Sequence, residues 1–79
     1  MKFDGDKVED ATLALLSLVM ETDKYGTRAW KGFDWDTMDR LYEKGYISNP
    51  KGKAKSVVVT EEGVKRAREL FDQMFGLPD

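Results

Sequence analysis

Three sets of side chains in this chain have the chemistry to do work: a run of lysines, a knot of carboxylates and a cluster of aromatic rings. Lys51, Lys53 and Lys55 alternate within a stretch punctuated by Pro50 and Gly52. In an extended strand that spacing puts all three ammonium groups on one side, a footprint that suits phosphate. The plainer role for the same charges is to keep a turn soluble. Asp4, Asp6, Glu9 and Asp10 crowd the first ten residues. They lack the calcium-loop pattern of alternate ligands, a glycine and a distant Glu, and a helix N-terminus accommodates them without a metal. Asp34 and Asp36 flank Trp35, but two residues apart in a helix they point different ways and cannot share a substrate. Five of the nine aromatic residues (Tyr25, Trp30, Phe33, Trp35 and Tyr42) fall between positions 25 and 42. Exposed rings of this kind stack on bases. Trp35 and Tyr42, however, share a helix face with Met38 and Leu41, which points to core packing. Trp30 and Tyr25 are less constrained, and if exposed they mark an interface rather than a cofactor site.

The absences narrow the chemistry further. With no Cys and no His, the chain has no zinc finger, thiolate nucleophile, Ser-His-Asp triad or disulfide frame. It has no glycine-rich phosphate loop, and a domain of 79 residues has little volume to hollow into a substrate pocket. The expectation is therefore a protein without enzymatic activity, metal, cofactor or small-molecule substrate.

Those side chains must be positioned by one small domain spanning residues 1–79, since a second core needs roughly 50 more residues. The longest apolar stretch, Leu13 to Met20, is interrupted by Ser17 and is shorter than the ~20 residues of a membrane span. The N-terminus lacks the apolar core of a signal peptide, so a cytoplasmic protein is expected. The net charge of −2 hides a segregation. Residues 24–55 carry eight basic and four acidic side chains, whereas the flanking segments are both acidic. A basic middle in an acidic chain is a possible polyanion footprint.

The hydrophobic pattern lays out the elements. Asp6 and Glu9 form a capping box for a first helix running to about Thr22. Its Val8, Ala11, Ala14, Leu15, Leu18 and Val19 make a major apolar stripe, and Leu13, Leu16 and Met20 make a second. Thr27 to Lys31 suits a short strand. Asp34 opens a second helix, with Phe33 and Met38 as a hydrophobic staple, and Gly45 closes it. Tyr46 to Ser48, a basic turn and Ser56 to Val59 read as a hairpin. Thr60 caps a last helix with Val64, Ala67, Leu70, Phe71, Met74 and Phe75 on one face.

Leu41-Tyr42-Glu43-Lys44-Gly45-Tyr46-Ile47, a basic turn, and then Val57-Val58-Val59-Thr60-Glu61-Glu62-Gly63 carry a resemblance. From Asp36 to Leu70 the chain resembles the second half of bacterial winged-helix regulators of the multiple-antibiotic-resistance and phenolic-acid-decarboxylase regulator types. The resemblance implies that the helix from Asp34 is a recognition helix and that the lysine hairpin is a wing. Over its whole length, through Arg28 to Asp36 and Lys53 to Val58, the chain also looks like a family of short bacterial proteins defined only as a conserved domain of unknown function. Winged-helix regulators place a separate helix before the recognition helix. Here the dozen or so residues ahead of Asp34 hold two glycines and leave room for one turn at most.

The resulting expectation is an α+β, winged-helix-like fold of three helices with a short two- to three-stranded β-wing. Its function would be that of a small binding module making weak DNA contact through Lys51, Lys53, Lys55, Arg40 and Lys44. Yet the second helix nets −2, with Asp36, Asp39 and Glu43 in one sector that phosphate rails would repel. The alternative is a protein-interaction adaptor that keeps the scaffold without binding DNA. A continuous positive stripe from wing to helix favours the first, and a lysine turn bordered by acid favours the second. Self-association is expected through the second stripe, with Leu13, Leu16 and Met20 at a homodimer interface.

Overall fold

The computed structural model describes residues 1–78. Helix α1 (Gly5–Leu16) leads through a 3-10 turn (Ser17–Val19) into strand β1 (Met20–Asp23), followed by β2 (Gly26–Trp30), α2 (Trp35–Glu43), β3 (Ser56–Val59) and α3 (Glu61–Phe75). The strands form one antiparallel sheet in the order β1-β2-β3. The fold is α+β, with three helices and a three-stranded sheet, and is compatible with a winged-helix-like arrangement.

Several elements begin and end where their sequences require. Asp34 caps α2 by accepting from Thr37 N and Thr37 Oγ1 at 3.2 and 2.9 Å. Thr60 caps α3 by accepting from Gly63 N at 3.0 Å. Gly45 leaves α2 with φ +82°, a conformation open to glycine and costly for other residues. Helix α1 differs from expectation at both ends. Its cap is Asp4, whose Oδ1 accepts from Lys7 N at 3.2 Å, and it stops six residues before Thr22.

The early stop reassigns the two stripes of α1. Beyond Leu16 the chain pairs with β2 in the register Met20↔Ala29 to Asp23↔Gly26, so helical periodicity no longer applies. Within the helix the buried face runs through Glu9, Thr12, Leu13 and Leu16, an i, i+3, i+4, i+7 pattern. Leu13 and Leu16 are 1% and 0% exposed, and Met20 is half-buried against the same core. This corrects the expected homodimer interface: α1 is indeed buried from two sides, but α3 and α2 of the same chain cover it. The major stripe yields only Ala14 to the core, while Leu15, Leu18 and Val19 face solvent.

Among the described residues eleven hydrophobic ones form the buried core, with Met38 and Leu41 from α2, Ile47, Val57 and Val59 from the sheet region, and Ala67 and Leu70 from α3 among them. The molecule measures 37 × 36 × 18 Å, and so thin a body leaves many large side chains without cover. Trp35 and Tyr42 are among them, at 63% and 44% exposure, which corrects their placement on the inner face of α2. Phe71 is half-buried against the core and stacks at a tilt on Phe75, with centroids 5.3 Å apart.

The expected wing is only partly a hairpin. Its first arm reduces to a single bridge, Ile47↔Val59, supported by Ser48 N donating to Val58 O at 2.8 Å. The main partner of β3 is β2, in the register Thr27↔Val59 to Trp30↔Ser56.

A candidate binding cleft

The cleft is built around the end of β2. Trp30 closes the strand, and its indole lies directly over Gly32, where even a Cβ would collide with the ring. The chain then folds tightly, with Phe33 N donating to Lys31 O at 2.8 Å. Phe33 packs against Trp30 at a 57° tilt, with centroids 6.1 Å apart. The Asp34 cap fixes the start of α2 and so fixes Trp35, its first residue, on the outer surface. These three rings, with buried Met38 and Pro50 beneath, line a cleft of about 240 Å³ whose rim carries Lys31 and Lys55.

Lys31 holds the opposite wall in place. Its ammonium donates to Pro50 O at 2.7 Å and Gly52 O at 2.9 Å, and its backbone N donates to Lys55 O at 3.1 Å. Gly52 turns the loop with φ +149°, a value L-residues rarely adopt. Beyond Trp30 and Lys55 the cleft continues into an open groove of about 610 Å³ across the sheet, lined by Leu18, Val19 and Arg28. Arg28 is braced there, donating to Ser56 Oγ at 2.9 Å and Ser56 O at 3.0 Å.

The five residues expected to contact nucleic acid do not form one surface. Lys51, Lys53 and Lys55 are exposed but sit on an irregular loop, so the alternation of a strand does not align them. Lys55 borders the aromatic cleft, whereas Lys51 borders a shallow depression with Asp39 and Glu43 of α2. Among the described residues none of the three lysines has a carboxylate within ion-pair distance.

Arg40 and Lys44 are turned away from the loop and toward α1. Lys44 Nζ lies 2.9 Å from Glu9 Oε1 and 3.9 Å from Asp6 Oδ1, and Arg40 Nη1 lies 3.5 Å from Glu9 Oε2. The Glu9 side chain is 3% exposed, so these two cations neutralise a buried carboxylate in the seam between α1 and α2. Both cations, expected at a nucleic-acid interface, thus face Glu9 while remaining about half exposed. Desolvation raises the pKa of Glu9, but the hydrogen bond from Lys44 and the charges of Lys44 and Arg40 outweigh it and hold the pKa below its ordinary value. The hydrogen bond to Glu9 likewise holds Lys44 above its ordinary value, against the opposing effect of its own desolvation. The N-terminal carboxylates are thereby dispersed: Asp4 caps, Glu9 turns inward and Asp6 remains at the surface.

Trp30 and Tyr25, whose placement the sequence leaves open, are 54% and 85% exposed. The Arg40 and Lys44 spacing of i, i+4 puts both cations on one helix face, a signal for a shared carboxylate partner. Trp35 as a cleft wall and Lys31 as a brace gave no such sign.

Comparison with known proteins places the chain in a family. Residues 4–77 match the domain of unknown function DUF6429, and the chain belongs to that family. It is 51% identical over 75 residues to an uncharacterized protein, y4hR, of Sinorhizobium fredii (strain NBRC 101917 / NGR234), covering 95% of this chain and 97% of that protein. No solved structure matches significantly.

Proposed function

We propose that this domain is a non-enzymatic protein-interaction module that docks an extended acidic segment, seating one bulky apolar side chain between Trp30 and Trp35. The observation that carries this reading is the pair of exposed indoles flanking a 240 Å³ cleft with Lys31 and Lys55 at its rim. That volume lies below the ~300 Å³ at which small-molecule sites begin and suits a single side-chain anchor. Tryptophan is among the residues most enriched at interface hot spots. The single buried carboxylate among the described residues, Glu9, is held in the α1–α2 seam, so the reading is one of binding rather than catalysis.

Two further observations favour an adaptor over a duplex reader. A β-hairpin, not a helix, precedes α2, so the helix-turn-helix pair that docks in a major groove has no first member. With Arg40 and Lys44 facing Glu9, the α2 residues that border the loop at Lys51 are Asp39 and Glu43. Nucleic-acid contact through Lys51, Lys53 and Lys55 is kept as a second reading because none has a carboxylate partner among the described residues and Lys55 borders the exposed tryptophans, on which a base could stack.

Titrating intrinsic tryptophan fluorescence separates the two. An acidic peptide with one central Leu-Pro should shift the emission with modest salt dependence, and Trp35→Ala should weaken it at least about tenfold, or ~1.4 kcal/mol. Binding of oligothymidylate that collapses steeply with salt and vanishes in a Lys51→Glu, Lys53→Glu, Lys55→Glu variant would favour the second reading. Loss of neither signal on those substitutions would remove the cleft as the binding site.

A further inference from the structure

The other end of the same chain has the chemistry to occupy the cleft. Helix α3 stops at Phe75, and Gly76 leaves it at φ −65°, ψ 140°, the polyproline II conformation. Leu77 precedes Pro78, whose ring bars the residue before it from helical backbone, so the extended path continues. Leu77 is 88% exposed, and Met74 and Phe75 are 43% and 47% exposed just before it. The segment thus leaves α3 apolar and exposed, with polyproline II backbone at Gly76 and a Leu-Pro sequence that favours its continuation. Aromatic-lined grooves take polyproline II strands because little conformational entropy remains to be lost on docking.

The charges also match. Exposed Asp72 precedes the apolar residues, while exposed Lys55, with no carboxylate partner among the described residues, borders the cleft. Within one molecule the two do not meet: the cleft is open and Leu77 remains in solvent. The geometry points to a second copy of this chain as the occupant, with Leu77 and Pro78 of one copy seated against Trp30 and Trp35 of the other. Reciprocal exchange of this kind uses the same two patches twice and closes as a symmetric pair. The inference rests on the reading of the cleft as a docking site for an extended segment, and names its partner.

The test is the mass of the full chain by light scattering after size exclusion, over a concentration series. The wild type should move from the mass of one chain toward that of two, and Leu77→Ser and Trp35→Ala should each hold it at one. Both side chains are exposed, so circular dichroism should show both variants folded. A mixture of the two variants retains one intact tail and one intact cleft, and should recover part of the association that each has lost. A wild type that stays at one mass at high micromolar concentration overturns the inference. So does a double mass that Leu77→Ser leaves unchanged. If the wild type stays single while the acidic Leu-Pro peptide still shifts tryptophan emission, the cleft stands as a docking site and only the second copy falls. If neither peptide nor concentration perturbs the tryptophans, both readings fall.

Discussion

Removing both cations that face Glu9 should strand a buried charge. Lys44 makes the close contact, an ion pair 2.9 Å from a carboxylate oxygen. Arg40, at 3.5 Å, adds attraction at longer range. Stripping both partners from a buried ion typically costs ~3–5 kcal/mol. The Lys44 and Arg40 side chains are 46% and 55% exposed, so solvent screens the pairing and the lower end of that range applies. A domain of this length has ~4–12 kcal/mol of stability in all, so the Arg40→Met, Lys44→Met variant should be weakened by a quarter or more.

The pH dependence supplies the sign. In the wild type the pKa of Glu9 is depressed, so its contribution is present above the ordinary value of 4.5 and is lost as pH falls through the lower folded value. The pKa of Lys44 is raised, so its contribution is present below 10.5 and is lost as pH rises through the higher folded value. In the double variant burial alone acts on Glu9, its pKa moves up, and stability should recover as pH falls from neutral toward that raised value. Urea unfolding followed by circular dichroism at neutral and mildly acid pH reads both effects. Adding Glu9→Gln to the double variant should restore most of the loss at neutral pH. A double variant within ~1 kcal/mol of wild type, or one that Glu9→Gln fails to rescue, would refute the account of this seam.

Leu13→Ala should cost ~2–5 kcal/mol in the same assay, whereas Leu18→Ser should change stability by less than ~0.5 kcal/mol, because only the first is buried. Gly63→Ala should destabilise despite alanine's better helix propensity. Its Cβ would collide with Tyr46 O and lie 2.9 Å from Val59 Cγ1, an overpacking cost of ~1–3 kcal/mol by thermal or urea melts. Ser17→Ala should be neutral or slightly stabilising, since Ser17 Oγ is buried without a hydrogen-bond partner, and a measurable loss of stability would show a partner that this geometry lacks.

The parts of the fold legible in the sequence are those whose signal is local. Asp34 and Thr60 announce helix starts, and Gly45 announces an end, because capping and left-handed backbone are decided within a few residues. The end of α1 was not legible, since nothing from Leu16 to Thr22 breaks a helix. Pairing with Gly26 to Ala29 overrides local preference there, and Val19 and Thr22 are the only β-branched hints. The wheel drawn past Leu16 then exchanged the two stripes and turned core residues into an interface. Glu9 read as a capping residue because its true partners lie in α2, more than thirty positions away. Trp35 and Tyr42 fit an inner face by spacing, but Met38 and Leu41 suffice to fill it in so thin a molecule. Of the candidate site, the basic turn was legible as a turn but not its irregular course, and the sequence leaves the exposure of Trp30 open. The cleft was not legible, because its lining comes from β2, α2 and the loop at Pro50, which are distant in sequence.

That pairing governs the stability of the cleft separately from that of the core. Residues 31–55 leave and rejoin the sheet at Trp30↔Ser56 and the Lys31 N to Lys55 O bond; the Pro50 wall of the cleft hangs from that closure, whereas the Trp35 wall is held by α2 through buried Met38 and Leu41. Fraying of this end of the ladder would dismantle the cleft while α1 and α3 stay packed. Amide hydrogen exchange should therefore show Lys31 opening with a lower free energy than Leu13 or Leu70, as a cooperative unit smaller than the whole domain. A ligand in the cleft would raise that local opening energy without slowing exchange in the helices. The most compliant part of the molecule would then be the part that reports occupancy.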